Sequence, residues 1–422
     1  MKSFRLAEAE ARALLSRFRT PFLVVSLTTV EENYRFLRQH LPRARVCYAM
    51  KANSTPEILQ RLAALGSDFD VASAGEMQTL HELGVEGARM VYANTVKDLR
   101  GLETAQRLRV RRLTFDDISE VPKMARHVPG AGVLLRIRVR NSRALVDLNS
   151  KFGAEPEDAL DLLRAAADAG LVPLGLCFHV GSQSAGPSAY EEALRVCRGL
   201  FDAAAGQGMR LTDLDIGGGF PIPTANGEPR DAAQGPQPSP SEGQRPFPGE
   251  SQSPFPSEGQ RPFPSTMLEV INGQLNSLFP DTTVWCEPGR FLCGTAVNLL
   301  ASVIGTKERD GRPWYILDEG IYGAFSGILF DHWTYPITAF ASGERAASTV
   351  AGPSCDGIDV LYRDVPLPRL SVGDPVLITD AGAYSTASAT RFNGFPIAPS
   401  LIWEREKEKA GECPPLPRPA DD

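Results

Sequence analysis

The sequence predicts an α/β protein: a (β/α)8 TIM-like barrel followed by a mostly β C-terminal domain that the N-terminal segment joins. Three observations lead there. Eight short apolar or β-branched runs recur with helical stretches between them, at roughly 20- to 40-residue intervals. From about Val297 strand-like runs continue without long helices between them. The length, 422 residues, exceeds what one compact core usually holds, so two domains are expected.

In chain order the eight strands are read at 46–50, 69–73, 90–93, 113–116, 134–139, 174–180, 214–218 and 284–287. Strand–helix alternation suits a parallel sheet, and eight repeats favour a closed barrel over a doubly wound sheet. Thr55-Pro56-Glu57 opens a helix, an N-cap candidate followed by proline at the first helical position, and Gly66 ends it. Over 157–169 the apolar residues Leu160, Leu163, Ala166 and Ala167 fall on one helical face, with Gly170 as the stop. Ser188-x-x-Glu191 reads as a capping box ahead of Ala193, Leu194, Val196 and Leu200. Beyond the barrel, 296–304, 313–318 and 375–379 read as strands, and 22–27 can pair with them because chain ends commonly meet.

The expected division is therefore a barrel over 28–283 and a β domain formed by 1–27 with 284–422, its tail at 404–422 frayed. Residues 227–265 are different material, rich in Pro, Ser, Gly and Gln. The octapeptide Ser-Glu-Gly-Gln-Arg-Pro-Phe-Pro stands at 241–248 and again at 257–264, with a degraded copy between. So much proline permits neither helix nor ladder, so a disordered surface insertion is expected, with a partner-recognition loop as the alternative.

A formal net charge of -7 gives no electrostatic reason to bind nucleic acid or anionic lipid. No stretch has the length and apolarity of a membrane span or the core of a signal peptide, so a cytoplasmic location is expected. The 7 cysteines are scattered and none shows C-x-x-C spacing, which argues against a disulfide framework or a metal site.

The residues that carry chemistry gather at predicted strand ends, where barrel enzymes place it. Tyr48-Ala49-Met50-Lys51-Ala52-Asn53 sets a lysine there, and partial desolvation would favour the neutral amine that a Schiff base needs. Phe178-His179-Val180-Gly181-Ser182 ends the sixth strand, Asp215-Ile216-Gly217-Gly218-Gly219-Phe220 the seventh, and Glu287-Pro288-Gly289-Arg290 the eighth. Three glycines expose backbone N–H groups that can cradle a phosphate, and an arginine adds a charged fork. A glutamate can keep a pyridinium protonated, and a histidine offers a flat face for stacking. Singly these could be a tight turn, a structural ion pair and a core histidine; together at one barrel mouth they point to a cofactor.

These segments resemble the fold-type III pyridoxal 5′-phosphate (PLP) decarboxylases, the family of ornithine, lysine, arginine and diaminopimelate decarboxylases. The resemblance runs from about Pro21 to Pro399, broken by the proline-rich insertion. It extends to Phe69-Asp70-Val71-Ala72-Ser73, Ser150-Lys151-Phe152-Gly153, Gly352-Pro353-Ser354-Cys355-Asp356-Gly357, Gly382-Ala383-Tyr384 and Phe392-Asn393-Gly394-Phe395. The resemblance implies that Lys51 carries PLP covalently, that His179 stacks on its ring and that Glu287 meets the pyridine nitrogen. Ser182, Gly219, Gly289, Arg290 and Tyr384 would bind the phosphate, with Asp70, Gly218 and Pro288 completing the cofactor site. It also implies a homodimer with shared active sites, in which Cys355, the acid that protonates Cα after CO2 leaves, enters with Asp356 from the neighbouring chain.

Phe330, Asp331 and Asp356 would read the far end of the substrate on the same resemblance. Two carboxylates suit a terminal ammonium and oppose a terminal carboxylate. The Cys355-Asp356 pair and the Tyr322–His332 stretch look most like the ornithine branch, which implies decarboxylation of L-ornithine to putrescine. Lysine and diaminopimelate are the alternative substrates, and an inactive regulator that binds a partner protein is the alternative of another class. Such regulators are expected to lose cofactor or acid residues, whereas Lys51, Cys355, Glu287 and Arg290 are all present.

Overall fold

The computed structural model of the chain describes residues 1–139, 151–184, 186–222, 264–331 and 333–404. Eight parallel strands close a barrel: Ala44–Ala49, Asp68–Val71, Met90–Tyr92, Arg112–Phe115, Gly132–Arg136, Val172–Cys177, Asp213–Asp215 and Thr283–Cys286. Closure is made by Ala44, Arg45 and Val46 pairing with Val284, Trp285 and Cys286. Every strand overlaps a run read as one; most are near-continuously apolar because both faces are buried, while Asp68–Val71 and Asp213–Asp215 alternate aspartate with apolar residues.

The outer ring of helices follows the strands, with one exception. The eighth strand leads only into a short helix, Arg290–Cys293. Its place in the ring is taken by Leu27–His40, which precedes the first strand and packs between Pro56–Ala64 and Pro264–Leu278. Buried Val30, Tyr34 and Leu37 form its inner face, and the Ser26 hydroxyl caps it by accepting the Thr29 N–H at 3.2 Å.

Some boundaries change. The expected domain limit at 283 would cut the eighth strand, whose partners on both sides are barrel strands; the barrel continues to Cys286 and the β domain begins at Val297. The helix predicted at 157–169 runs Ala159–Asp168 after a short 3-10 turn, and Ala167 is exposed because the buried stripe is Ala159, Leu163 and Ala166. Neither proposed cap forms with its side chain. Thr55 precedes Pro56 but makes no such bond, and Ser188 is already the first residue of Ser188–Gly206, behind Pro187. Most of 227–265 and of the tail lies outside the described residues, but Pro264 and Ser265 begin the helix Pro264–Leu278. In sequence the insertion falls between the seventh barrel strand, Asp213–Asp215, and the helix Pro264–Leu278.

The β domain is one sheet in the order Ile337–Ala339, Pro375–Ile378, Val297–Arg309, Arg312–Leu317, Arg345–Ala351 and Val360–Pro368. Phe22–Ser26 adds to it as expected, antiparallel to Val297–Arg309 with Phe22 opposite Leu300, and parallel to Ser400–Trp403. Among the described residues no helix is long and apolar enough to cross a membrane.

Candidate active site

The C-terminal ends of the barrel strands and the β domain enclose a cavity of ≈ 480 Å³. Lys51 enters from a single 3-10 turn, Met50–Ala52, directly after the first strand. That turn is fastened to the β domain: the Tyr384 N–H donates to Ala52 O at 2.8 Å and the Asn53 amide donates to Gly382 O at 2.9 Å. Lys51 Nζ lies 2.5 Å from an Asp70 carboxylate oxygen. Burial by itself would lower the lysine, but Asp70, with Glu287 and Tyr384 behind it, outweighs burial and holds the ammonium above its usual range. The expectation of a neutral amine is thus corrected for the cofactor-free pocket. Asp70 is 2% exposed, and a buried carboxylate needs a cation as its partner.

The glycine triplet is required by how closely three strand ends approach. A Cβ on Gly217 would strike Phe178 O, one on Gly218 would strike Glu287 O, and one on Gly219 would strike Gly181 O. Gly217 and Gly219 also hold positive φ, 65° and 97°. Gly219 lines the cavity, whereas Gly218 stands behind Glu287 and His179 and is not among the lining residues. His179 Nδ1 accepts the Gly181 N–H at 2.9 Å, so the proton of the neutral ring sits on Nε2. Burial, reinforced by the nearby Arg136 and Lys51 cations, lowers this imidazole to about 3 and keeps it uncharged. Glu287 and Asp215 form a buried carboxyl pair, and Asp215 also accepts the Gly217 N–H at 2.8 Å. Burial raises both; the Asp70 charge raises Asp215 further, although its hydrogen bonds to Gly217 and Glu287 hold it down, and the charges of Asp215 and Asp70 raise Glu287, so the pair retains a proton that a pyridinium placed against Glu287 would release.

Arg290 is 5% exposed and lies between the rings of Trp333 (4.3 Å to the centroid) and Tyr384 (5.1 Å). Its Nη2 is paired with Asp331, while Nε and Nη1 are buried without a partner. Unsatisfied guanidinium N–H groups at a cavity wall fit a phosphate, which brings several acceptor oxygens. With Lys51, His179, Ser182, Gly219, Glu287, Pro288, Gly289 and Tyr384 around the same cavity, the residues present fit PLP.

Phe330 and Asp331 line the mouth, but the Asp331 carboxylate is spent on Arg290 and is not free to meet a substrate. Cys355 and Asp356 are not brought to the cavity within one chain. Cys355 is exposed and its N–H donates to Asn393 Oδ1 at 3.1 Å. Asp356 accepts the Tyr322 hydroxyl at 2.5 Å, and Tyr322 stacks on Phe392 with centroids 4.1 Å apart. This loop is shaped by Asp359, which accepts the N–H groups of Ile321 and Ser354, each at 3.0 Å; a Cβ on Gly352 would occupy the space of its carboxylate.

Sequence reading missed several lining residues, among them Asn94, Thr95, Arg136 and Gln183. Arg136 carried a signal, a charge inside an apolar strand run; its guanidinium lies 4.8 Å over Phe152 and leaves Nη2 buried and unpartnered. Lys97 carried none. Its buried ammonium donates to Asn94 O at 2.6 Å and to Thr114 O, bracing the Asn94–Thr95 wall, and burial lowers it to about 7.

Comparison with known proteins agrees with this geometry. The family model described as "Pyridoxal-dependent decarboxylase, pyridoxal binding domain" matches residues 27–294. The chain is 60% identical over 410 residues to the lysine/ornithine decarboxylase of Selenomonas ruminantium, covering 97% of this chain and 96% of that one. It superposes on the crystal structure of SrLDC in complex with PLP and cadaverine with a TM-score of 0.85 and 58% identity, over 97% of each chain. The lysine/ornithine decarboxylase of Vibrio vulnificus, solved with cadaverine, gives a TM-score of 0.82 at 31% identity, over 95% of this chain and 100% of that one.

Proposed function

The chain belongs to the PLP-dependent decarboxylases of basic amino acids, and from that premise we propose that it converts both L-lysine and L-ornithine to their diamines, cadaverine and putrescine. The observation that carries the dual substrate is the 60% identity, across nearly the whole chain, to a relative named for both. Ornithine alone, the expectation from the sequence, widens accordingly. Asp331 lines the cavity mouth, and its carboxylate, once released by Arg290, would favour a cationic substrate tail and oppose the terminal carboxylate of diaminopimelate. The regulatory alternative is disfavoured, because the residues such a protein would dispense with line the cavity: Lys51, Glu287 and Arg290.

Bound in the cavity, PLP would supply an electron sink for the electrons left when CO2 departs. The protein's part is positional and electrostatic. Lys51 presents its amine from a turn tied to two domains. Glu287, which burial and the Asp215 charge hold protonated, would give up that proton against a protonated pyridine nitrogen, and Arg290 would anchor the phosphate end. Neutral His179 offers a ring face without adding a competing cation. The acid for Cα is assigned to Cys355 of a second subunit, since within one chain Cys355 stands outside the cavity on an exposed loop. A homodimer with shared sites, working in the cytoplasm, completes the proposal.

The test is a turnover assay of the PLP-loaded protein on L-lysine, L-ornithine, L-arginine and diaminopimelate, following CO2 and diamine. Lysine and ornithine differ by one methylene, so their kcat/KM values should lie within about 10-fold of each other. Absence of both diamines, or a preference for diaminopimelate, would overturn the proposal.

A further inference from the structure

Arg290 and Asp331 have been given separate tasks above, one toward a phosphate and one toward a substrate ammonium. They are bonded to each other. Both are largely withdrawn from water: the Arg290 side chain is 5% exposed and that of Asp331 16%. We infer that Asp331 is the stand-in counter-ion of Arg290, and that a phosphate arriving on Arg290 frees Asp331 to read the cationic end of the substrate. The inference deepens the proposed function and rests on it.

Three features support an exchange. First, Arg290 Nε and Nη1 are buried without partners, so the carboxylate satisfies the arginine only in part. A phosphate dianion, with more charge and more acceptor oxygens, can use the donors that Asp331 leaves idle. Second, the guanidinium is held between Trp333 and Tyr384, so the carboxylate, not the arginine, is the partner that moves. Asp331 sits at the end of a one-turn helix, Gly327–Phe330, whose last residue, Phe330, is 63% exposed. Third, a phosphate on Nε and Nη1 would stand beside the Asp331 carboxylate on Nη2, and the repulsion between the two anions weakens the hold of Asp331 on the arginine. Cofactor binding and substrate reading are then linked through one ion pair, and a pocket without phosphate presents no free carboxylate to a diamine or a basic amino acid.

The test is a set of equilibrium PLP titrations of apoenzyme, read by tryptophan fluorescence, for wild type, Asp331→Asn, Arg290→Met and the double variant, with pyridoxal as the probe lacking phosphate. Removing the competitor should tighten PLP binding by about 10-fold in Asp331→Asn. Pyridoxal affinity should not change, and the gain should vanish when Arg290→Met is already present. PLP binding no tighter in Asp331→Asn than in wild type would overturn the inference. A gain that persists in the Arg290→Met background would overturn it too, since that would be a long-range charge effect. Failure of the functional reading looks different: wild-type protein would then take no borohydride-fixable PLP on Lys51 whatever Asp331 does.

Discussion

Lys51 and Cys355 stand in opposite surroundings. Lys51 lies against a buried carboxylate, on a turn pinned by hydrogen bonds from the β domain, with further charged groups arranged around it. Cys355 is exposed on a β-domain loop, beside a stacked Tyr322–Phe392 pair and two further exposed apolar residues, Ile358 and Phe395. In one region the lysine is paired within the chain; the other has a thiol and apolar surface exposed. On the proposed shared-site dimer, a single chain would build the half of the site that holds the cofactor and would supply, from the Cys355 loop, the half that finishes a neighbour's.

The most severe break of this comparison is Lys51→Ala. It should abolish the lysine-bound PLP chromophore and nearly all turnover, since among the described residues Lys51 is the amine paired with Asp70; a borohydride-fixed adduct with normal activity would refute the assignment of Lys51. Cys355→Ala should lower kcat by about 10²- to 10⁴-fold while PLP binding survives, because the proposed role of the thiol is proton donation and within its own chain it stands outside the cofactor cavity. Mixing the two variants sharpens the contrast. If sites are shared, random re-association makes half the dimers mixed, each with one intact site, and about a quarter of wild-type activity returns. No recovery after proven subunit exchange would mean that each chain builds its own site.

A smaller effect is expected at the substrate tail. Asp331→Asn with Asp356→Asn should lower kcat/KM for lysine and ornithine roughly 10- to 100-fold, the worth of about one charge-assisted hydrogen bond. A substrate without the distal amine, assayed on the same preparation, should lose much less. Equal losses would end the role of these acids as ammonium readers.

The smallest effect is a pH dependence. Burial and the Asp215 charge raise Glu287 in the folded apoenzyme, so the folded chain keeps a proton that the unfolded chain releases above its ordinary carboxylate value. That contribution is present at low pH and is lost as pH rises toward the folded value. Glu287→Gln removes the loss, so its melting temperature should match wild type near pH 4 and exceed it at pH 8 by on the order of 2 °C. Calorimetry of the two apoproteins at both pH values decides this, and parallel profiles would show that the carboxyl pair carries no such proton.

Most of the barrel strands were legible because burial on both faces leaves near-continuous apolar runs, Asp68–Val71 and Asp213–Asp215 being the exceptions, and the lysine, glycine triplet and Glu287-Pro288-Gly289-Arg290 were legible because strand ends are where side chains can leave the sheet. The short strands Ile337–Ala339 and Arg345–Ala351 were not read, since a sheet assembled from distant, half-exposed segments has no local period strong enough to mark them. The sequence by itself determined the inventory of chemical groups and their order along the strands. Only the tertiary structure decided which charges meet. Lys51 on Asp70, Arg290 on Asp331 and Asp215 against Glu287 join residues 19, 41 and 72 positions apart, and spacing cannot state whether a buried charge finds its partner in the next strand, in another domain or in a ligand.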